Sequence, residues 1–235
     1  SFDRLYVPES RVFDEFYGDT WPRDMVVTGT ASHSIDAQRL DERDAPQPDD
    51  IAVFSAIFVS EIGMVDLVRG LAKAFPERRI LLQVKWNFVD TNRGKRFIAA
   101  CTEGLKNVIL VRDSVYDILR DVRYAFSDPS SLIYEAIQLG TYAFAVDVST
   151  SQRRSIFRRI PGLAVRTADE AVRQIRNIES GAWQYPIEAC AEIVDFAARP
   201  TIEVVKADLG LAAISPSELT REPAYAARGA IDRIS

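Results

Sequence analysis

Apolar and polar positions between residues 51 and 180 alternate in a regular way. Short unbroken apolar runs are each followed by a longer stretch in which apolar side chains recur every three or four residues. The run at 51–58 leads into a helical pattern carried by Val65, Val68, Leu71, Ala72 and Phe75, and a second run occupies 80–84. Strands buried on both faces are continuous in apolar character, whereas a helix packed on one side repeats about every 3.6 residues. The spacing therefore predicts strand, helix, strand. It continues with a helix at 94–102, a strand at 108–111, a short helix at 115–119 and a strand at 123–126. Beyond the helix entered through Asp128-Pro129-Ser130-Ser131 come a buried strand at 142–148, a basic helix at 152–159 and a strand at 163–165. A last helix is opened by Thr167-Ala168-Asp169-Glu170 in the form of a capping box. Six strands separated by helices predict an α/β fold with a doubly wound, mostly parallel six-stranded sheet, Rossmann-like in character.

The flanks lack this rhythm. Residues 41–50 hold a run of acids with Pro46 and Pro48, which breaks any apolar period and favours an extended, solvated linker. Residues 1–40 then read as a lead-in from an N-terminal domain, and 51–180 as the Rossmann-like domain. In the tail at 181–235, Pro186, Pro200, Pro216 and Pro223 divide helical pieces, of which 187–198 is the clearest. No internal repeat or low-complexity tract interrupts the array.

Composition narrows the function. A chain of 235 residues with 47% hydrophobic content can bury a substantial core. Its net charge of −5 argues against a nucleic-acid surface, which needs a clustered basic excess, but leaves room for a small anionic ligand. Arg153, Arg154, Arg158 and Arg159 form a local basic group that reads most simply as a solvated helix face. No apolar run approaches the roughly 18 residues of a membrane span, and no secretory leader is seen, so cytoplasmic residence is the default. Cys101 and Cys190 are far apart and read as core residues, and no metal-ligand spacing is present.

In parallel sheets the ligand crevice lies beyond the carboxyl ends of the strands, which directs attention to 55–60, 85–88, 112–114 and 128–131. Among these, Pro129 suits a first helical position, Asp128 or Ser130 suits the cap, and Gly140 suits the C′ position of the same helix. A helix start of this kind offers amides and the positive dipole end to an anion, and the hydroxyls of Ser130 and Ser131 add donors. Glu135, one turn past Ser131, is placed to accept hydrogen bonds from ribose hydroxyls. The plain structural alternative is a capped helix with Glu135 facing solvent. Lys85 ends the second strand, either as a point charge on a diphosphate or as a lysine whose stem packs at a strand end. Arg112, Asp113 and Tyr116 follow the third strand and are further candidates for the base or sugar. The stretch Ser60-Glu61-Ile62-Gly63 has one glycine where a dinucleotide fingerprint needs three, which argues against NAD chemistry. His33 is the sole histidine, so a histidine metal site or a triad would have to rest on it alone.

Ser127-Asp128, Ser130-Ser131, Glu135-Ala136 and Leu139-Gly140 together resemble a motif of the C-terminal, nucleotide-sugar-binding half of GT-B glycosyltransferases. The likeness is to bacterial surface-polysaccharide transferases of polysialyl-, Kdo- and CDP-glycerol-dependent types and to the related UDP-N-acetylglucosamine 2-epimerases. Arg4-Leu5-Tyr6-Val7-Pro8 and Met25-Val26-Val27-Thr28-Gly29 extend it to about residues 1–180. The resemblance implies that Ser130 and Ser131 bind donor phosphate and Glu135 the donor ribose. It implies no cofactor: the nucleotide sugar, CMP-, CDP- or UDP-linked, is a substrate. Its acceptor, a saccharide or lipid-linked saccharide, would be held by an N-terminal domain, with peripheral attachment at the inner face of the membrane left open. Relatives often carry Lys-x-His-Pro after the second strand, where this chain has Lys85-Trp86-Asn87-Phe88. The expected function is donor binding within a glycosyltransferase, in a chain that is a fragment of a longer enzyme. A 2-epimerase-like enzyme and a non-catalytic Rossmann-like module are the alternatives.

Overall fold

The computed structural model describes residues 49–56, 61–147, 156–191, 193, 205 and 207–210, together with the backbone of 5–7 and 25–27. The last two segments are short strands, β1 (Leu5–Val7) and β2 (Met25–Val27), which pair in parallel. Most of the linker at 41–50, the lead-in around His33, Arg153 and Arg154, and the larger part of the 187–198 helix lie outside the described residues.

The main sheet comprises β3 (Ile51–Ser55), β4 (Ile80–Val84), β5 (Val108–Leu110), β6 (Tyr124–Ser127), β7 (Tyr142–Val146) and β8 (Ala164–Val165). Its spatial order is β5-β4-β3-β6-β7-β8, and every pairing is parallel. All five residues of β3 are buried, as expected of a strand covered on both faces. Helices α1 (Glu61–Ala74), α2 (Trp86–Val89), α3 (Asn92–Thr102), α4 (Val115–Asp121), α5 (Ser131–Gln138), α6 (Ala168–Glu179) and α7 (Ile187–Cys190) connect or follow the strands, and a 3-10 turn, η1 (Ile156–Arg159), precedes β8.

Helix α1 buries Met64, Leu67, Val68, Leu71 and Ala72, a stripe that recurs at three and four residues and seats the helix on the sheet. It packs against α3 and against α6, which returns after β8 to the same face. On the other face, Tyr116 of α4 meets Glu135 of α5, and the Tyr134 ring of α5 lies 5.2 Å from that of Phe157 in η1. Right-handed crossovers running outward from β3 in one direction and from β6 in the other put the helices on opposite faces in this way. In the centre of the sheet Phe126 stacks on Phe144 at 5.0 Å, and Tyr185, past α6, closes over β7 with its hydroxyl donating to the Ala143 carbonyl at 2.6 Å.

Two expectations are modified. The basic helix at 152–159 is, within the described residues, the four-residue 3-10 turn η1, cut short by Pro161-Gly162. The capping box at Thr167 forms in a shifted version: Thr167 Oγ1 accepts from the Glu170 amide at 3.1 Å, while the Glu170 carboxylate reaches past the cap to the Arg166 amide at 2.7 Å. The two cysteines are unbridged and buried, and burial pushes the thiols up to about 12 for Cys101 and about 11 for Cys190.

Candidate functional site

From β3 the chain steps outward through β4 to β5, then returns to lay β6 on the opposite side of β3. Strand order therefore reverses between β3 and β6, a switch point of the kind at which parallel sheets place a crevice. A cleft of about 400 Å³ lies there. Phe54, Ser55 and Ala56 line it from β3, Gln83 and Lys85 from β4, and Ser127 to Ser130 from the turn into α5; Val115 and Leu132 complete the wall.

Helix α5 starts at Ser131, with Ser130 as its cap residue in an extended conformation and Pro129 one place further out. Proline thus precedes the cap, two positions before the first helical place that the sequence pattern suggests. Neither candidate capping side chain caps. Ser130 makes no side-chain cap bond, and its Oγ sits 3.3 Å from Ser127 Oγ at the cleft. Asp128 is buried and turned back on β3, where its carboxylate accepts from the Ala56 amide at 2.7 Å across 72 residues. No side chain of the cap residue engages the first turn of α5, where the helix dipole is positive, and the Ile133 amide donates to the Ser130 carbonyl at 3.2 Å. At the far end Gly140 takes φ 75° after the Leu139 cap, a conformation glycine adopts without steric cost.

One turn into α5, Glu135 accepts a hydrogen bond from the Tyr116 hydroxyl at 2.6 Å. Burial raises the Glu135 carboxyl above its ordinary value, and this bond opposes the rise by favouring the ionised form. The two residues flank the cleft: Val115, beside Tyr116, and Leu132, one turn before Glu135, both line it.

No family model and no curated protein sequence matches the chain. Solved structures do. The wall teichoic acid polymerase TagF soaked with CDPG superposes with a TM-score of 0.58 at 16% identity over 88% of this chain and 56% of that one. The UDP-GlcNAc 2-epimerase of Neisseria meningitidis bound to UDP-GlcNAc gives 0.57 at 14% identity, over 88% and 62%. The S. aureus MnaA–UDP co-structure gives 0.53 at 11%, over 91% and 61%. The fold is GT-B-like. At these identities the likeness is one of fold, and this chain spans less than two thirds of each neighbour's length.

Within the GT-B-like domain the predicted residues separate into groups. Lys85 and Ser130 line the cleft; Lys85 also starts α2, and its amide donates to the Ser55 carbonyl at 2.9 Å. Ser131 is exposed at the first position of α5, next to the lining but outside it. Tyr116 and Glu135 form the flanking pair. Arg112 is set apart, exposed and 3.3 Å from Asp90 at the end of α2. Among the described residues no group of three acidic, histidine or cysteine side chains is arranged to hold a metal, and no helix is long and apolar enough to cross a membrane. Sequence reasoning overlooked Gln83, whose amide donates to the Asp113 carbonyl at 2.7 Å and ties β4 to the loop before α4. Its signal was available, as the one polar residue inside the apolar run 80–84.

Proposed function

We propose that the chain is the donor-binding part of a glycosyltransferase that uses a nucleotide sugar in the synthesis of a bacterial surface polysaccharide or glycoconjugate. The observation that carries this is the start of α5: its first-turn amides lack a side-chain cap, it opens with Ser130 on the cleft at the strand-order reversal, and it carries Glu135 one turn further in. In this reading the donor phosphates accept from the first-turn amides and from Ser130 and Ser131, with the Lys85 ammonium as counter-charge. Glu135, oriented by Tyr116, accepts from the ribose hydroxyls. Neighbours that carry CDPG and UDP-GlcNAc support a CDP- or UDP-linked donor. The acceptor, saccharide or lipid-linked, and the group that activates it are assigned to a second domain, with the work done in the cytoplasm.

A 2-epimerase-like activity is the second reading, favoured by epimerases superposing about as well as the polymerase. Calorimetry against CMP, CDP and UDP tests donor binding. At least one nucleotide should bind, and Ser131→Ala and Glu135→Ala should each weaken it. A folded protein that binds none of the three would make the domain a scaffold instead. Conversion of UDP-GlcNAc to its 2-epimer, followed by NMR, would move the assignment to the epimerase.

A further inference from the structure

A second concavity, of about 290 Å³, lies along the outer side of the edge strand β8, between the turn that precedes it and helix α6. It shares no lining residue with the cleft and is separated from β6 by β7. Three guanidinium groups reach it from three different segments: Arg158 from η1, Arg166 from just beyond β8, and Arg173 from α6. In a chain of net charge −5 this is a local concentration of positive charge.

Two carboxylates stand near the three arginines, Glu170 and Asp147, which leaves a net positive charge of about one, carried by Arg166 and Arg173. Glu170, the carboxylate in the lining, is held by the Arg166 amide at 2.7 Å as part of the start of α6. Asp147, at the end of β7, engages Arg158 through Nε. Among the described residues no carboxylate lies within ion-pairing distance of the guanidinium of Arg166 or of Arg173. The exposed Pro161 gives the groove an apolar side, with Ile160 buried in the core beneath it.

We propose that this groove is a second anion site, for a phosphate monoester whose organic part lies over Pro161. Guanidinium forks match the oxygens of phosphate and carboxylate alike, but three forks around one groove offer more donors than two carboxylate oxygens use. A phosphate monoester has three peripheral oxygens and close to two negative charges at neutral pH. The phosphate can come from a soluble phosphorylated saccharide or from a lipid headgroup. The site does not depend on donor binding in the cleft.

Glucose 1-phosphate and inorganic phosphate, with glucose as the uncharged control, would be titrated into the 235-residue protein by calorimetry or by NMR of its arginine side chains. Vesicles with and without phosphatidic acid test the lipid source. The wild type should bind glucose 1-phosphate more tightly than inorganic phosphate and not bind glucose, with affinity falling as salt rises. Arg166→Gln with Arg173→Gln should lose roughly tenfold or more of that affinity, through loss of charge-assisted contacts. The same variant should keep any CDP affinity that depends on Glu135. Both arginines are exposed, so the variant should melt as the wild type does. Binding to phosphatidic acid vesicles alone, lost in the same variant, supports the site and assigns its phosphate to a headgroup. Equal phosphate binding by variant and wild type would overturn the proposal, as would the absence of binding to any phosphate probe. Neither result bears on the cleft, which is read out by CDP.

Discussion

Replacing Tyr116 by phenylalanine removes a hydroxyl that donates to Glu135 at 2.6 Å and keeps the ring that fills the space beside it. Burial raises the Glu135 carboxyl, and this bond works against the rise. In Tyr116→Phe burial acts unopposed, so the carboxyl titrates higher still. The folded wild type already holds the Glu135 proton at pH values where the unfolded chain has released it. Its contribution to stability therefore falls as pH climbs from the ordinary carboxylate value through the raised folded value, and is flat above that. In the variant the fall extends to higher pH. Toward pH 7.5 the ionised share of the carboxyl grows and with it the charge-assisted character of the lost bond; for two half-buried partners the lower end of the usual range applies, about 1.5 kcal/mol. Toward pH 4 the protonated share grows in both states and the lost bond approaches one between neutral groups, costing about 1 kcal/mol or less.

Urea unfolding at the two pH values measures this difference directly. In thermal melts at pH 7.5 the deficit corresponds to a Tm lower by roughly 3–6 °C for a chain of this size. The same substitution tests the ribose role, since acceptance of ribose hydroxyls needs an ionised, oriented carboxylate. CDP affinity measured from pH 5 to 8 should rise with pH in both proteins, with its midpoint displaced upward in Tyr116→Phe. A destabilisation equal at pH 4 and pH 7.5 would refute the coupling of Tyr116 to Glu135. An unchanged CDP profile beside a changed stability profile would leave the pair intact and remove Glu135 from the nucleotide site.

Asp128→Ala should cost about 2 kcal/mol in urea unfolding, because the Ala56 amide loses its acceptor where the β3 and β6 loops meet; Asp128→Asn, which retains an acceptor oxygen, should recover most of it. Gly94→Ala should destabilise by at least about 2 kcal/mol, since the new methyl would fall 1.9 Å from the Phe88 carbonyl oxygen, a backbone atom that moves only if α2 and α3 separate. With thiols pushed up to about 12 and about 11, Cys101 and Cys190 should resist a thiolate-directed reagent such as DTNB at pH 8 in the folded protein and react at once in 6 M guanidinium chloride; fast reaction without denaturant would contradict their burial.

The sheet was legible because its strands are buried on both faces: the runs beginning at Ile51 and Ile80 are apolar at nearly every position and have no amphipathic alternative. Helix ends marked by local chemistry, such as Thr167 and Gly140, were legible for the same reason, since the signal and its effect lie within a few residues. Helix α2 was not, as four residues are too few for a period to appear. The role of Asp128 was hidden in a different way. As an acid just before Ser-Ser it looks like a helix cap, and only the pairing of β3 with β6 brings it to the Ala56 amide, 72 residues away in sequence. The grouping of Arg158, Arg166 and Arg173 was equally invisible, because it depends on α6 folding back beside β8.

Asp128 also bears on what the cleft can bind. A buried carboxylate in the lining of an anion site would repel a phosphate if its charge faced the cavity. Bonding it to the Ala56 amide directs one oxygen at the end of β3 and ties the turn after β6 to it. In the donor-binding reading proposed above, a phosphate is then better placed toward the start of α5, where the dipole is positive and Ser130 is at hand, than over β3. Lys85 lies on the β4 side of the same cleft and supplies the positive charge among its lining residues. If the cleft is the donor site proposed above, with one phosphate at the α5 amides and a second toward Lys85, CDP and UDP should bind more tightly than CMP in calorimetry, and equal affinity for the three would remove Lys85 from the site.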